Sequence, residues 1–170
     1  MKKISVLVIT LITLASCQQS QKIGFVDNSK LVNAYQEKID VEEKYKLQIE
    51  ASNKRTDSLV QSFQAEYQEF QSEASKMSQD KAQQRYQELG RKQQMLQQQI
   101  QMTEQQIANQ SQVEIDSLIT KVRKFVNKYG ESHNYDFILG SNEAGSVMYG
   151  KASEDITEDL IKALNDAYKK

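Results

Sequence analysis

Between Lys30 and Tyr129, apolar residues recur in steps of three and four. Ile49, Thr56, Phe63, Phe70 and Met77 lie seven apart, and Val60, Tyr67 and Ala74 interleave with them. This spacing is the a/d seam of a coiled coil. Asn53 and Thr56 make its lower end polar and loose. The ladder lapses after Met77, where Ser75, Ser78 and Asp80 cluster. Ser78 suits an N-cap, with Asp80 in the first turn of a new helix. A second ladder follows: Ala82, Tyr86, Leu89, Gln93, Leu96, Ile100, Thr103 and Ile107. It slips by a four-residue stutter near Ser111 and resumes at Ile115, Leu118, Val122, Phe125 and Tyr129. A stutter locally unwinds a supercoil. Two ladders about one capped turn predict an antiparallel helical hairpin, with helices of about 40 residues and an arm of roughly 60 Å. One continuous helix in a parallel coiled coil is the alternative; the phase break and the serine-rich turn favour the hairpin. Gly90 costs its helix about 1 kcal/mol relative to alanine. It is either a flexing point or a tolerated surface glycine.

The flanking pattern changes period. Lys22–Asp27 reads as a short strand, and Asn28 or Ser29 caps a helix carrying Leu31, Val32 and Tyr35. Gly130 is placed to stop the return helix. Tyr135–Leu139 and Ser146–Tyr149 read as two strands around a turn at 140–145. Ser153, Glu154 and Asp155 open a last helix through Ile156, Leu160, Ile161, Leu164 and Tyr168. The expected fold is mostly α, with a small β body from which the coiled-coil hairpin projects. The body comprises 22–36 and 130–170, and the arm 37–129 with its tip near 75–80. A sheet this small is marginal as a monomer, and oligomerisation through the body would complete it. The residues available for that are Ile23, Phe25, Val26, Phe137, Ile138, Leu139, Val147, Met148 and Tyr149.

Composition supports this picture. The 170 residues include no proline, six glycines and 38% hydrophobic residues, and mean hydropathy is −0.70. A single thick core is therefore not expected. Disordered chains of this polarity are usually proline-enriched, whereas absent proline suits long unbroken helices. Lys and Arg total 22 against 23 Asp and Glu, which disfavours a basic nucleic-acid binder. One cysteine excludes a disulfide framework and a cysteine-based zinc site. Enzyme chemistry finds no footing: phosphate loop, metal cluster and nucleophile elbow motifs are missing. The single histidine, His133, reads as a surface loop residue. No cofactor is expected.

That cysteine, Cys17, ends an N-terminal address. Lys2 and Lys3 precede an apolar run from Ile4 to Leu14, the form of a secretory signal. The run is too short to span a membrane, which needs about 20 apolar residues. Leu14-Ala15-Ser16-Cys17 resembles the lipobox of bacterial lipoproteins, whose cysteine thiol becomes the acyl acceptor. The expectation is a lipoprotein-type signal over 1–16 and a lipidated tether over 17–21. By analogy with proteobacterial sorting, Gln18 in place of aspartate directs such a protein to the outer membrane. Removing Lys2 and Lys3 leaves 20 basic and 23 acidic side chains, a net charge of −3.

The order of signal, strand, helical hairpin, two strands and terminal helix resembles the Skp/OmpH family of periplasmic chaperones. The likeness rests on Lys22-Ile-Gly-Phe-Val-Asp-Asn-Ser-Lys-Leu-Val-Asn-Ala-Tyr35, on Tyr135-Asp-Phe-Ile-Leu139, and on Asp155-Ile-Thr-Glu-Asp-Leu-Ile-Lys-Ala-Leu-Asn165. It implies a homotrimer with a shared β body. Three arms would enclose unfolded outer-membrane β-barrel proteins in the periplasm, without ATP. The family's basic arm tips are not matched: from Asp57 to Asp80 there are five acidic side chains and one basic, a net −4. Capture of an anionic surface by this tip is not expected. On the resemblance, candidate client contacts are Phe63, Tyr67, Phe70, Met77, Tyr86, Met95 and Met102. The ladder members among them serve equally as the hairpin's own core. Met95 and Met102, seven apart and off the ladder, suit a separate client-facing strip, since methionine adapts to varied partners. The alternative function is a lipid-anchored structural or adaptor lipoprotein. A spacer would want a regular apolar seam, and this one is interrupted and polar.

Overall fold

The computed structural model describes residues 21–142 and 145–169. The signal and Cys17 lie outside them. Strand β1 (Ile23–Asp27) leads into a short helix α1 (Asn28–Asn33), then the outgoing helix α2 (Gln36–Glu73). A 3₁₀ turn at Ala74–Lys76 reverses the chain into α3 (Gln79–Ser132); β2 (Phe137–Ser141), a second 3₁₀ turn and α4 (Thr157–Tyr168) complete the order. The hairpin is antiparallel, so the single continuous helix is excluded. Ser78 stands at the N-cap of α3 in extended conformation, and its carbonyl accepts from the Ala82 N–H at 2.9 Å. At 54 residues α3 is longer than the 38-residue α2, because it continues past the base of the arm into the body.

Several local rules were overridden by packing. Gly130 does not end α3, which runs on to Ser132. Gly130 is buried, and a Cβ there would sit 3.3 Å from Ile138 Cδ1. Its role is to admit β2 against the helix. The reversal comes later, at Asn134, in the left-handed region at φ 55°, where asparagine is among the better-tolerated residues. The cap of α1 is Asp27, one residue before the expected pair; its carboxylate accepts from the Lys30 N–H at 2.9 Å. Ser146–Tyr149 does not form a strand. The segment instead turns across Phe25, close enough that a Cβ on Gly150 would clash with that ring at 2.3 Å.

The sheet therefore has two strands, paired in parallel with Ile23 opposite Phe137 and Phe25 opposite Leu139. The other edge of β1 is occupied by the start of α4. The Ile156 N–H donates to the Phe25 carbonyl at 3.0 Å, and the Asp27 N–H to Thr157 Oγ1 at 2.9 Å. Thr157 is itself pinned to Asp155 Oδ1. Strand alternation sends Val26 and Ile138 toward the chain's own core. It leaves Ile23, Phe137 and Leu139 exposed. The core joins Val26, Leu31 and Tyr35 to Val41 and Tyr45 of α2, Leu118 and Val122 of α3, and Leu160 and Leu164 of α4. Leu160 is fully buried at its centre.

Candidate functional site

The arm is the surface where the candidate side chains lie. Along α2 beyond its base the half-buried positions are Ser52, Thr56, Val60, Phe63, Glu66 and Phe70, and Ala74 and Met77 continue the row through the turn. Along α3 they include Ala82, Arg85, Leu96, Ile100, Thr103, Ile107, Ser111 and Ile115, with Leu89, Leu118 and Val122 buried. The steps from Thr103 through Ile107, Ser111 and Ile115 to Leu118 are four, four, four and three, so the stutter lies where the ladder predicts it. Small polar side chains meet there, and a gap lined by Ile49, Ser52, Asn53, Ile107 and Ser111 opens between the helices.

The seam departs from the ladder at two places near the tip. Glu66 and Arg85 turn inward where Tyr67 and Tyr86 were expected. Tyr86 is 62% exposed. Glu66 accepts from Arg85 Nη2 at 2.7 Å and also binds Lys92, while Arg85 reaches Glu88 at 2.8 Å. The hydrogen bond and charge of Lys92, with the charge of Arg85, hold the Glu66 carboxyl below its usual range. Gln93, a member of the expected ladder, is exposed and does not lie within the seam.

The candidate client contacts thus separate into three settings. Phe63, Phe70 and Met77 are half-buried in the seam. Tyr67 and Tyr86 stand at the edge of a groove beside it, with Phe63, Leu89, Gly90 and Gln93. Met95 and Met102, each 63% exposed, lie off the seam with Val113. Steps of 7 and 11 residues bring these three close to one helical azimuth.

Hairpin closure also corrects the charge of the tip. The net −4 counts only the outgoing helix, the turn and the first residues of α3. The return helix brings Lys81, Arg85, Arg91 and Lys92 beside it, and from Asp57 to Lys92 six acidic side chains face five basic ones. The end of the arm is close to neutral. A second charged tie closes its base, where Glu114 binds Lys44 at 2.6 Å and Tyr45 Oη at 2.8 Å, and Lys121 pairs with Glu37. Hydrogen bonds from Lys44 and then Tyr45 lower the Glu114 pKa.

In the body, Ile23, Phe137 and Leu139 form an uncovered apolar face, and Met148 and Tyr149 are 90% and 85% exposed. Phe25 and Val147 are half-buried. His133 stacks on Tyr129 at 3.8 Å, and its Nδ1 lies 2.9 Å from the Tyr129 carbonyl, which accounts for its position. Among the described residues, no group of three or more His, Cys, Asp or Glu side chains gathers to hold a metal. Among them also, no helix is long and apolar enough to cross a membrane.

The family model for outer membrane protein, OmpH-like, matches residues 22–164. This chain belongs to the OmpH-like family. A solved structure from Caulobacter crescentus, described as a candidate OmpH-like outer membrane chaperone, shares the fold with a TM-score of 0.75. Its sequence is 15% identical, and the match covers 87% of this chain and 86% of that one. No curated protein matches the chain. The matched span of this OmpH-like chain contains both arm helices and both strands.

The ionic ties make a pH prediction. A carboxylate with a lowered folded pKa adds stability above its unfolded value, about 4.3 for glutamate, and loses it as pH falls through the folded value. Glu66 and Glu114 should therefore support the hairpin at neutral pH and cease to do so in acid. The thermal midpoint by circular dichroism should fall on acidification to below about pH 4. It should fall less in a Glu66→Gln, Glu114→Gln double variant. Equal falls would contradict the assignment.

Proposed function

We propose that this protein is an ATP-independent holdase that shields unfolded outer-membrane β-barrel proteins in the periplasm. Membership of the OmpH-like family across residues 22–164 is the observation that carries this reading. The arm supports it physically. Its seam is narrow and interrupted by polar layers, so the helices hold each other weakly and leave aromatic and methionine side chains partly exposed. Adaptable apolar contacts suit clients of varied sequence. Met95 and Met102 are assigned to this contact surface. A catalytic role is not part of the reading.

The domain division goes with it: a signal over 1–16, a lipidated tether over 17–21, a body of 22–36 and 130–170, and an arm over 37–129. Parallel sheets are normally covered on both faces. Here the outer face of Ile23, Phe137 and Leu139 has no cover among the described residues. A trimeric body would bury it. The lipobox-like Leu14–Cys17 would tether the assembly to the outer membrane.

The protein should suppress aggregation of a diluted, unfolded outer-membrane barrel protein at close to one assembly per client. Absence of suppression at several-fold excess rejects the holdase reading. Light scattering should give about three times the chain mass, as cyclic symmetry of this order requires; a single-chain mass rejects the shared body. Separately, Cys17→Ser should move the protein from the membrane to the soluble periplasmic fraction, and unchanged fractionation refutes the anchor.

A further inference from the structure

The two sides of the hairpin near its tip differ in kind. One carries the Glu66, Arg85 and Lys92 cluster. Helical steps of three, four and seven place Glu69, Glu73, Lys81 and Glu88 on that same side. On the other side a groove opens whose lining, Phe63, Tyr67, Tyr86, Leu89, Gly90 and Gln93, includes no charged side chain. Around Tyr67 this side presents Gln64 and Gln71, and around Tyr86 it presents Gln83, Gln93 and Gln97. The groove has a volume of about 390 Å³. Leu89, 2% exposed, lies at its bottom. Phe63 and Tyr67 form one wall, their rings stacked at 6.4 Å, and Tyr86 stands opposite on α3. Gly90 keeps the groove open: a Cβ added there would meet no atom within 4 Å. Packing makes no demand for this glycine, and helix propensity opposes it by about 1 kcal/mol.

We propose that the groove seats an aromatic side chain from an uncharged, extended polypeptide segment. The proposal rests on the holdase reading and names the feature of the client that the arm grips. Aromatic walls favour an aromatic guest through stacked and edge-on contacts. A charged guest would lose hydration and find no opposite charge in the groove lining, and Glu66, Arg85, Glu88 and Lys92 nearby pair with one another. The glutamine amides both donate and accept, so they match the unpaired N–H and C=O groups of an extended backbone. Strands of transmembrane β-barrels supply such segments, alternating apolar with polar residues and carrying girdles of aromatics.

The test uses the full chain and a short capped peptide alternating tryptophan with threonine. The chain contains no tryptophan, so selectively excited tryptophan emission comes from the peptide alone and reports binding. In Gly90→Leu, the new side chain leans toward the preceding turn and Tyr86, filling the groove. Leucine also improves helix propensity, so the arm stays folded. The wild type should bind the peptide, and Gly90→Leu should bind it about tenfold more weakly. The thermal midpoint of the variant should be equal or higher. Gly90→Ala should fall between the two in affinity. Equal affinity of wild type and Gly90→Leu overturns the proposal, as does equal binding when lysine and glutamate replace the threonines. A change in assembly mass on Gly90→Leu assigns the groove to contact between copies and overturns it. Tighter binding of an uncharged oligosaccharide than of the peptide does the same. If wild type and variant suppress client aggregation equally well, the groove proposal falls and the holdase reading stands. If the peptide binds as expected but no client is protected, the groove stands and the holdase reading falls.

Discussion

The side chain of Asn165 sets where the arm begins. Its Oδ1 accepts from the Gln36 N–H at 2.8 Å, and its Nδ2 donates to the Ala34 carbonyl at 3.0 Å. It thereby spans the break between α1 and α2 and satisfies a donor that the new helix would leave open. Tyr168, one turn further along α4, bonds Asp40 at 3.0 Å and meets Tyr35 edge-on at 5.9 Å. Burial and the Glu37 carboxylate raise the Tyr35 pKa, so its hydroxyl stays protonated as a donor through the physiological range. The terminal helix thus clamps the first turns of α2, while Leu160 and Leu164 join the core under α3. Order in the arm is transmitted outward from this clamp.

Distance from the clamp determines what the seam can do. Near the base, Val41, Tyr45, Leu118 and Val122 are buried, and Glu114 and Glu37 tie the helices together. Beyond the stutter only Leu89 is buried among the arm residues, and Glu66 with its two cations supplies side-chain hydrogen bonds across the helices. Exposed ion pairs add little, typically up to about 1 kcal/mol. The outer arm is consequently the easier part to open. Such an arrangement places adaptable apolar surface at the far end and keeps the body rigid.

The seven-residue ladder, the stutter and the serine-rich turn were legible because each is a matter of spacing within one helix. The orientation of Tyr67 and Tyr86 was not. Glu66 and Arg85 take the inward positions in their place because each neutralises the other across the hairpin, a pairing that spacing along one helix does not reveal. The net −4 from Asp57 to Asp80 misled for the same reason. In the body, Val147, Met148 and Tyr149 have strand-forming character, yet their segment crosses Phe25 without pairing to either strand. Gly130 looked like a stop signal, but its missing Cβ serves the approach of Ile138. Asn165 was visible only as part of a family-like ending. Its role needed the contact with Gln36, 129 residues away.

Native-state hydrogen exchange along the full chain tests this account most directly. Amides around Leu118–Tyr129 and Leu160–Leu164 should exchange slowest. Protection should fall past the stutter and be lowest in both helices toward Ser78. An Asn165→Ala change should lower protection in the first turns of α2 before it alters α4. Uniform protection from base to tip, or loss confined to α4 in the variant, would contradict an arm whose order is set by the clamp.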